Sequence, residues 1–271
     1  MAQILPTLEE LFKAGAHFGH SKSRSDARSH SFVYTYKNKI SIINLEKTRE
    51  MLEKTLNFLQ KSAQEGKSFL FVGTKMQAKD KVKQTAEKLN SFYIIERWPG
   101  GLLTNWDVIY RTIKKMVKAE NDLAEDKLDY LKKKEKVKLD KDLRKMNLVF
   151  GGLKKLEKKP DILIAIDAAQ EKNSIAEAKR AGLPVVAICD TNANPREIDY
   201  PIVANDDSMA TINLILDLIA ETIEKNFKPK VVELKSDEAN TVDPKKETQK
   251  TSAVKKEKQA KKPTTIKAEK K

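Results

Sequence analysis

Two histidines flank a short N-terminal segment, His17-Phe18-Gly19-His20, and four aspartates, Asp167, Asp190 and the pair Asp206-Asp207, each close an apolar run far along the chain. Histidine nitrogen and carboxylate oxygen are the donors that hold divalent cations. If the apolar runs are parallel strands, the aspartates gather on one sheet edge. That pattern supports a cation site built on His20, Asp190 and Asp206, holding structural Mg2+ or Zn2+. It equally supports helix capping and turn formation, for which Asp190-Thr191-Asn192 and Asn205-Asp206-Asp207-Ser208 are well suited. With a single cysteine, Cys189, a cysteine-rich zinc site is excluded, and an apolar context makes that thiol a core residue. No serine–histidine–aspartate order or nucleophile elbow is visible, so no catalytic residue is assigned.

A nucleotide- or metal-dependent enzyme on a flavodoxin-like sheet is the rival expectation, because open parallel sheets take ligands at their strand C-terminal ends, where the aspartates gather. The relevant turn, Val72-Gly73-Thr74-Lys75-Met76-Gln77-Ala78, has one glycine. A dinucleotide fingerprint needs three, and a phosphate loop needs Gly-Lys-Ser/Thr. Lys75 remains a candidate phosphate contact at the head of the following helix.

Basic and aromatic residues form a more specific pattern. Lys22, Arg24, Arg28, Lys37 and Lys39 lie close in sequence to Tyr34 and Tyr36, and Arg97-Trp98-Pro99-Gly100-Gly101 follows a strand-like run. Cationic heads hold phosphates, and aromatic rings stack on unpaired bases. The alternative for Trp98 is packing beneath its own turn. The chain carries 53 Lys and Arg against 39 Asp and Glu, a net charge of +14. Such a surplus favours a polyanion, either nucleic acid or an anionic membrane.

The elements that must position these groups follow from periodicity. Thr7 with Glu10 three residues on is a capping box, opening a helix through Leu8, Leu11 and Phe12 that stops near Gly15. Residues 16–31 lose periodicity and read as a loop. Ile40–Ile43 is strand-like, and Glu46–Glu65 is helical. Phe69–Val72 is a strand buried on both faces, followed by a helix from Lys75 to Leu89 and a strand at Phe92–Ile95. Further strands are expected at Ile162–Ile166, Val185–Ile188 and Ile202–Val203, with a helix ending near Ala181 and a last helix from about Ser208 to Phe227. Strand–helix alternation predicts an α/β fold, a mostly parallel flavodoxin-like sheet covered by helices on both faces. Between Trp106 and Leu156 the strand signal disappears. Ile109, Ile113, Met116 and Val117 form one helical stripe, and Leu139, Leu143, Met146 and Phe150 another. They predict an antiparallel helical coiled-coil hairpin. The expected organisation is an α/β domain over 1–105 and 157–229, the inserted hairpin over 106–156, and a lysine-rich tail over 230–271. The tail cannot bury enough apolar area to order itself. The N-terminus has no signal-peptide pattern and no stretch approaches a membrane span, so the cytoplasm, or an organelle encoding the chain, is the expected location.

The segment Arg97-Trp98-Pro99-Gly100-Gly101-Leu102-Leu103-Thr104-Asn105 resembles the Arg-Trp-x-Gly-Gly-x-Leu-Thr-Asn signature of the ribosomal protein S-two family. Ala14–His20, Ile42–Thr48, Phe71–Lys75, Pro160-Asp161, Asp190–Asn192 and Ala204–Asp207 resemble further family motifs, in order, over residues 8 to 225. The resemblance implies a structural, non-enzymatic protein of the small ribosomal subunit, with no required cofactor and no small-molecule or membrane partner. Its partners would be small-subunit ribosomal RNA and neighbouring ribosomal proteins, including the large mRNA-binding protein S-one. Expected RNA contacts are His17, His20, Lys22, Arg24, Arg28, Lys37, Lys39, Lys75, Arg97, Trp98, Thr104 and Asn105. Two departures stand out. Ser25-Asp26-Ala27-Arg28-Ser29 replaces the family's Trp-Asn-Pro-Lys-Met, and Pro99 replaces a leucine, which stiffens the turn.

Overall fold

A computed structural model describes residues 5–125, 127–128 and 132–228; the lysine-rich tail lies outside the described residues. Five strands form a parallel sheet: β4 (Phe69–Val72), β5 (Phe92–Ile94), β6 (Ile162–Ile166), β7 (Val185–Cys189) and β8 (Tyr200–Val203), in the order β5-β4-β6-β7-β8. With β4 as the first parallel strand this is the flavodoxin-like order, whose direction reverses between β4 and β6.

The all-apolar strands divide their side chains between two faces, as the period of two requires. Phe69, Phe71, Ile162, Ile164, Ile166, Val186, Ile188 and Ile202 pack against α2 (Leu45–Gln64), α3 (Lys79–Lys88) and α7 (Met209–Asn226). Leu70, Val72, Leu163, Ala165, Val185, Ala187 and Cys189 face the other way, against α6 (Lys172–Arg180), the anchors Leu102 and Leu103, and Ile113. Cys189 is buried, and burial pushes its thiol well up.

At the N-terminus, α1 (Leu8–Lys13) carries the expected box: Thr7 accepts from the Glu10 amide, and the Glu10 side chain accepts from the Thr7 amide. Three expectations are corrected downstream. Ile40–Ile43 does not join the parallel sheet. As β3 it is the centre of a separate antiparallel sheet, β1-β3-β2, with β1 (Phe18–Ser21) and β2 (Val33–Lys37). Residues 16–31 are therefore partly strand, and Ala27–Phe32 forms a 3-10 turn. The helix expected from Lys75 begins only at Lys79, because Thr74–Ala78 is held as a loop by contacts described below.

The helices α4 (Trp106–Ala124) and α5 (Lys133–Phe150) form on the expected stripes. They meet where Glu120 accepts from Asn147 and, at 2.8 Å, from Lys154. The buried residues are Ile113 and Met116 in α4 and Leu143 in α5, fewer than a continuous heptad seam buries.

Candidate nucleic-acid interface and the carboxylate cluster

At the C-terminal sheet edge the aspartates do converge, and their first partner is a lysine. Lys75 Nζ lies 2.6 Å from Asp206 Oδ1, 2.7 Å from Asp207 Oδ1 and 3.1 Å from Asp167 Oδ2. Burial opposes the charge on Lys75, but hydrogen bonds to Asp206 and Asp207 outweigh it and the net shift is upward. Asp206 is fully buried, and burial together with Asp167 raises its carboxyl despite Lys75. Asp167 sits in the left-handed region at φ 72° directly after β6. Its Oδ1 accepts from the amides of Ala169 and Gln170, both at 3.0 Å, so capping and clustering are two uses of one carboxylate.

His20 enters the same cluster from β1. Its Nδ1 is 2.7 Å from Asp190 Oδ2, and its Nε2 is 3.3 Å from Asn192 Nδ2 and 3.7 Å from Asp207 Oδ2. The Asp190 hydrogen bond raises the His20 pKa against the opposing effect of burial. Gly19 permits this approach: a Cβ there would stand 2.8 Å from Thr191 Cγ2. Donor atoms of His20, Asp190, Asp206 and Asp207 lie within 4.8 Å of one another. Asp206 Oδ2 is buried with no hydrogen-bond partner.

The nucleotide crevice of this sheet class, between the loops after β4 and β6, is filled by the chain itself. Glu171 Oε1 accepts from the Thr74 amide at 3.0 Å and the Thr74 hydroxyl at 2.6 Å, and Gln170 Nε2 donates to that hydroxyl at 2.6 Å. A carboxylate thus occupies the amide that a phosphate would need. These bonds also delay the start of α3.

The expected RNA contacts sort into inward and outward groups. His17 is stacked between Phe12, with centroids 4.3 Å apart, and Phe18, at 4.0 Å, and burial lowers its pKa. His20 and Lys75 face the carboxylates. Trp98 is only 8% exposed, and its Nε1 donates to Glu177 Oε1 at 3.0 Å. Lys75 and Trp98 are thus corrected from surface contacts to internal ones, whereas His17 and His20 are half-buried. Arg28 is exposed, but it is spent on Asp26 at 2.8 Å and Glu197 at 3.3 Å. The departing segment Ser25–Ser29 in fact anchors the loop: the Asp26 amide and the Ser29 hydroxyl both donate to Thr191 O, at 2.8 and 2.7 Å.

Lys22, Arg24, Lys37, Lys39, Arg97, Thr104 and Asn105 are exposed. Among the described residues none of the five cations forms an ion pair. Four belong to or adjoin the antiparallel sheet, where Lys22 Nζ lies 5.3 Å from the Tyr36 ring centroid and Tyr34 is 75% exposed. Asn105 is the N-cap residue of α4, with no side-chain capping bond.

Sequence reasoning missed Glu177. Its carboxylate gathers the Arg97–Asn105 turn: Oε1 also accepts from the Gly101 amide at 2.8 Å, and Oε2 from the Leu103 amide at 3.2 Å and the Thr104 hydroxyl at 3.4 Å. A buried indole needing a partner beside two glycines was the available signal. It does not say which acid answers.

A family profile described as Ribosomal protein S2 matches residues 11–226. The small ribosomal subunit protein uS2 of Dehalococcoides mccartyi is 42% identical over 221 residues, 81% of this chain and 90% of that protein. The uS2 of Helicobacter hepaticus is 41% identical over 80% of this chain and 82% of its own length. The protein uS2c of Rhodomonas salina is 40% identical over 83% of this chain and 93% of its own length. No described helix is long and apolar enough to cross a membrane.

Proposed function

Because the chain belongs to the ribosomal protein S2 family, and so is a structural, non-enzymatic constituent of the small ribosomal subunit associated with its RNA and proteins, we propose that phosphate contacts from Lys22, Arg24, Lys37, Lys39 and Arg97 hold it there. The observation that carries this reading is the sorting of cations. These five are exposed and unpaired among the described residues, whereas Lys75 and Arg28 are consumed internally. Tyr34 and Tyr36 beside four of them offer stacking faces for unpaired bases. Five phosphate contacts predict that log affinity for small-subunit ribosomal RNA falls with log salt at a slope of about −3.5 to −4.5. Binding indifferent to salt would sink the reading.

Two finer parts rest on narrower support. Docking of protein S-one, and a cytoplasmic or organellar ribosome as the site of action, are supported by the family resemblance. Co-sedimentation of S-one with subunits lacking this chain would count against the first.

A structural cation held by His20, Asp190 and Asp206 is supported by the orphan Asp206 Oδ2 and the convergent donors. A mixed nitrogen and oxygen set favours Zn2+ over Mg2+. The ion would neutralise the carboxylates that Lys75 leaves uncompensated. Equilibrium dialysis with Zn2+, wild type against Asp206→Asn, tests it; equal loading of both removes the site.

A further inference from the structure

Glu177 lies on α6, far in sequence from the turn it organises. Its two oxygens receive two backbone amides, an indole N–H and a hydroxyl from residues 98–104. Burial of a carboxylate is unfavourable, yet these donors outweigh it and its pKa is lowered. Apolar anchoring is already present, since Leu102 and Leu103 are fully buried and Trp98 nearly so. Gly101, at φ +87°, turns the chain back over Asn105. The turn is thus tied from beneath at four points while Arg97, the residue before the clamped indole, stays exposed. An unpaired arginine on a free turn spreads over many directions; on a clamped turn it is preorganised, and binding loses less entropy.

We infer that Glu177 is a positioning residue for RNA: by clamping Trp98 and the turn behind it, it aims Arg97 at a phosphate of the ribosomal RNA. The inference rests on the RNA-binding reading above. Glu177 itself does not reach the RNA.

The test is a double-mutant cycle on the full chain, with in-vitro-transcribed small-subunit ribosomal RNA titrated across a salt series. Glu177→Gln and Arg97→Ala should each weaken binding about tenfold, the low end for one charge-assisted hydrogen bond. The double variant should bind no more weakly than Arg97→Ala alone. Both should lower the salt slope by about 0.7–0.9. Losses that multiply in the double variant overturn the inference. So does a Glu177→Gln protein that melts earlier yet binds as wild type does. If Glu177→Gln fails to fold, Trp98→Phe removes the indole bond while keeping an aromatic ring in the pocket, and should show the same dependence on Arg97. A wild type whose binding ignores salt overturns the RNA reading as well. Multiplicative losses on a salt-sensitive wild type overturn this inference alone.

Discussion

Lys75 Nζ stands 2.6 Å from Asp206 Oδ1, a lysine from the loop after β4 and an aspartate from the loop after β8 joined across the sheet edge. Lys75 is 13% exposed and Asp206 is fully buried, so water screens the pair poorly. One cation also serves Asp167 and Asp207. Removing it leaves buried carboxylates without compensation. Lys75→Met should cost about 3–5 kcal/mol in urea unfolding. A loss below about 1 kcal/mol would mean that another cation neutralises the cluster.

The filled crevice gives a second expectation. Calorimetry with ATP, GTP or NAD should give no heat with the wild type, since Glu171 already occupies the Thr74 amide. Glu171→Ala strands that amide and hydroxyl and should cost about 1–3 kcal/mol. Stoichiometric nucleotide binding by the wild type would contradict this account of the crevice.

The β2–β3 hairpin turns through Asn38 and Lys39, both at positive φ (50° and 66°), with Lys37 paired to Ile40. Two-residue hairpin turns of this kind favour Asn-Gly, and a side chain in the left-handed region costs about 1–2 kcal/mol. Lys39→Gly should therefore raise stability by up to about 1 kcal/mol. If Lys39 meets a phosphate, the same change lowers the RNA salt slope by about 0.7–0.9. A more stable variant with an unchanged slope would take Lys39 out of the interface.

Acid should loosen the loop before β2. Hydrogen bonds from Arg28 hold the Asp26 carboxyl down at about 2, against an ordinary value of 3.8. A depressed carboxylate pKa stabilises the fold above the unfolded value, and that stabilisation is lost as pH falls from about 4 towards about 2. Asp26→Asn should flatten this part of the stability–pH curve, and Arg28→Ala should shrink it, because the Asp26 pKa then returns towards its ordinary value. An acid limb identical in wild type and Asp26→Asn would refute the assignment.

Much of the parallel sheet was legible because its strands are short, wholly apolar and closed by aspartate or glycine; Ile162–Ile166 is the same in sequence and structure. The Thr7–Glu10 box worked because both partners lie within one helical turn. The antiparallel sheet was less legible. β1 is four residues long, its burial does not alternate, and its register shifts against β3. Charge was legible as a total but not as a distribution. Lys75 and Lys39 are the same residue type in polar surroundings, and only the fold decides that one is consumed by carboxylates and the other faces water. The Thr74–Glu171 and Trp98–Glu177 contacts span 97 and 79 residues, which no local pattern encodes.

β2 pairs with β3 on one side, and four of its five residues are exposed. A strand whose other edge is unpaired among the described residues, with two outward tyrosines, is a template for another copy of the same strand. Lysines at its end and in the adjoining turn, Lys37 and Lys39, oppose that pairing by like-charge repulsion. The same two lysines would then guard a free chain against pairing with its own copies.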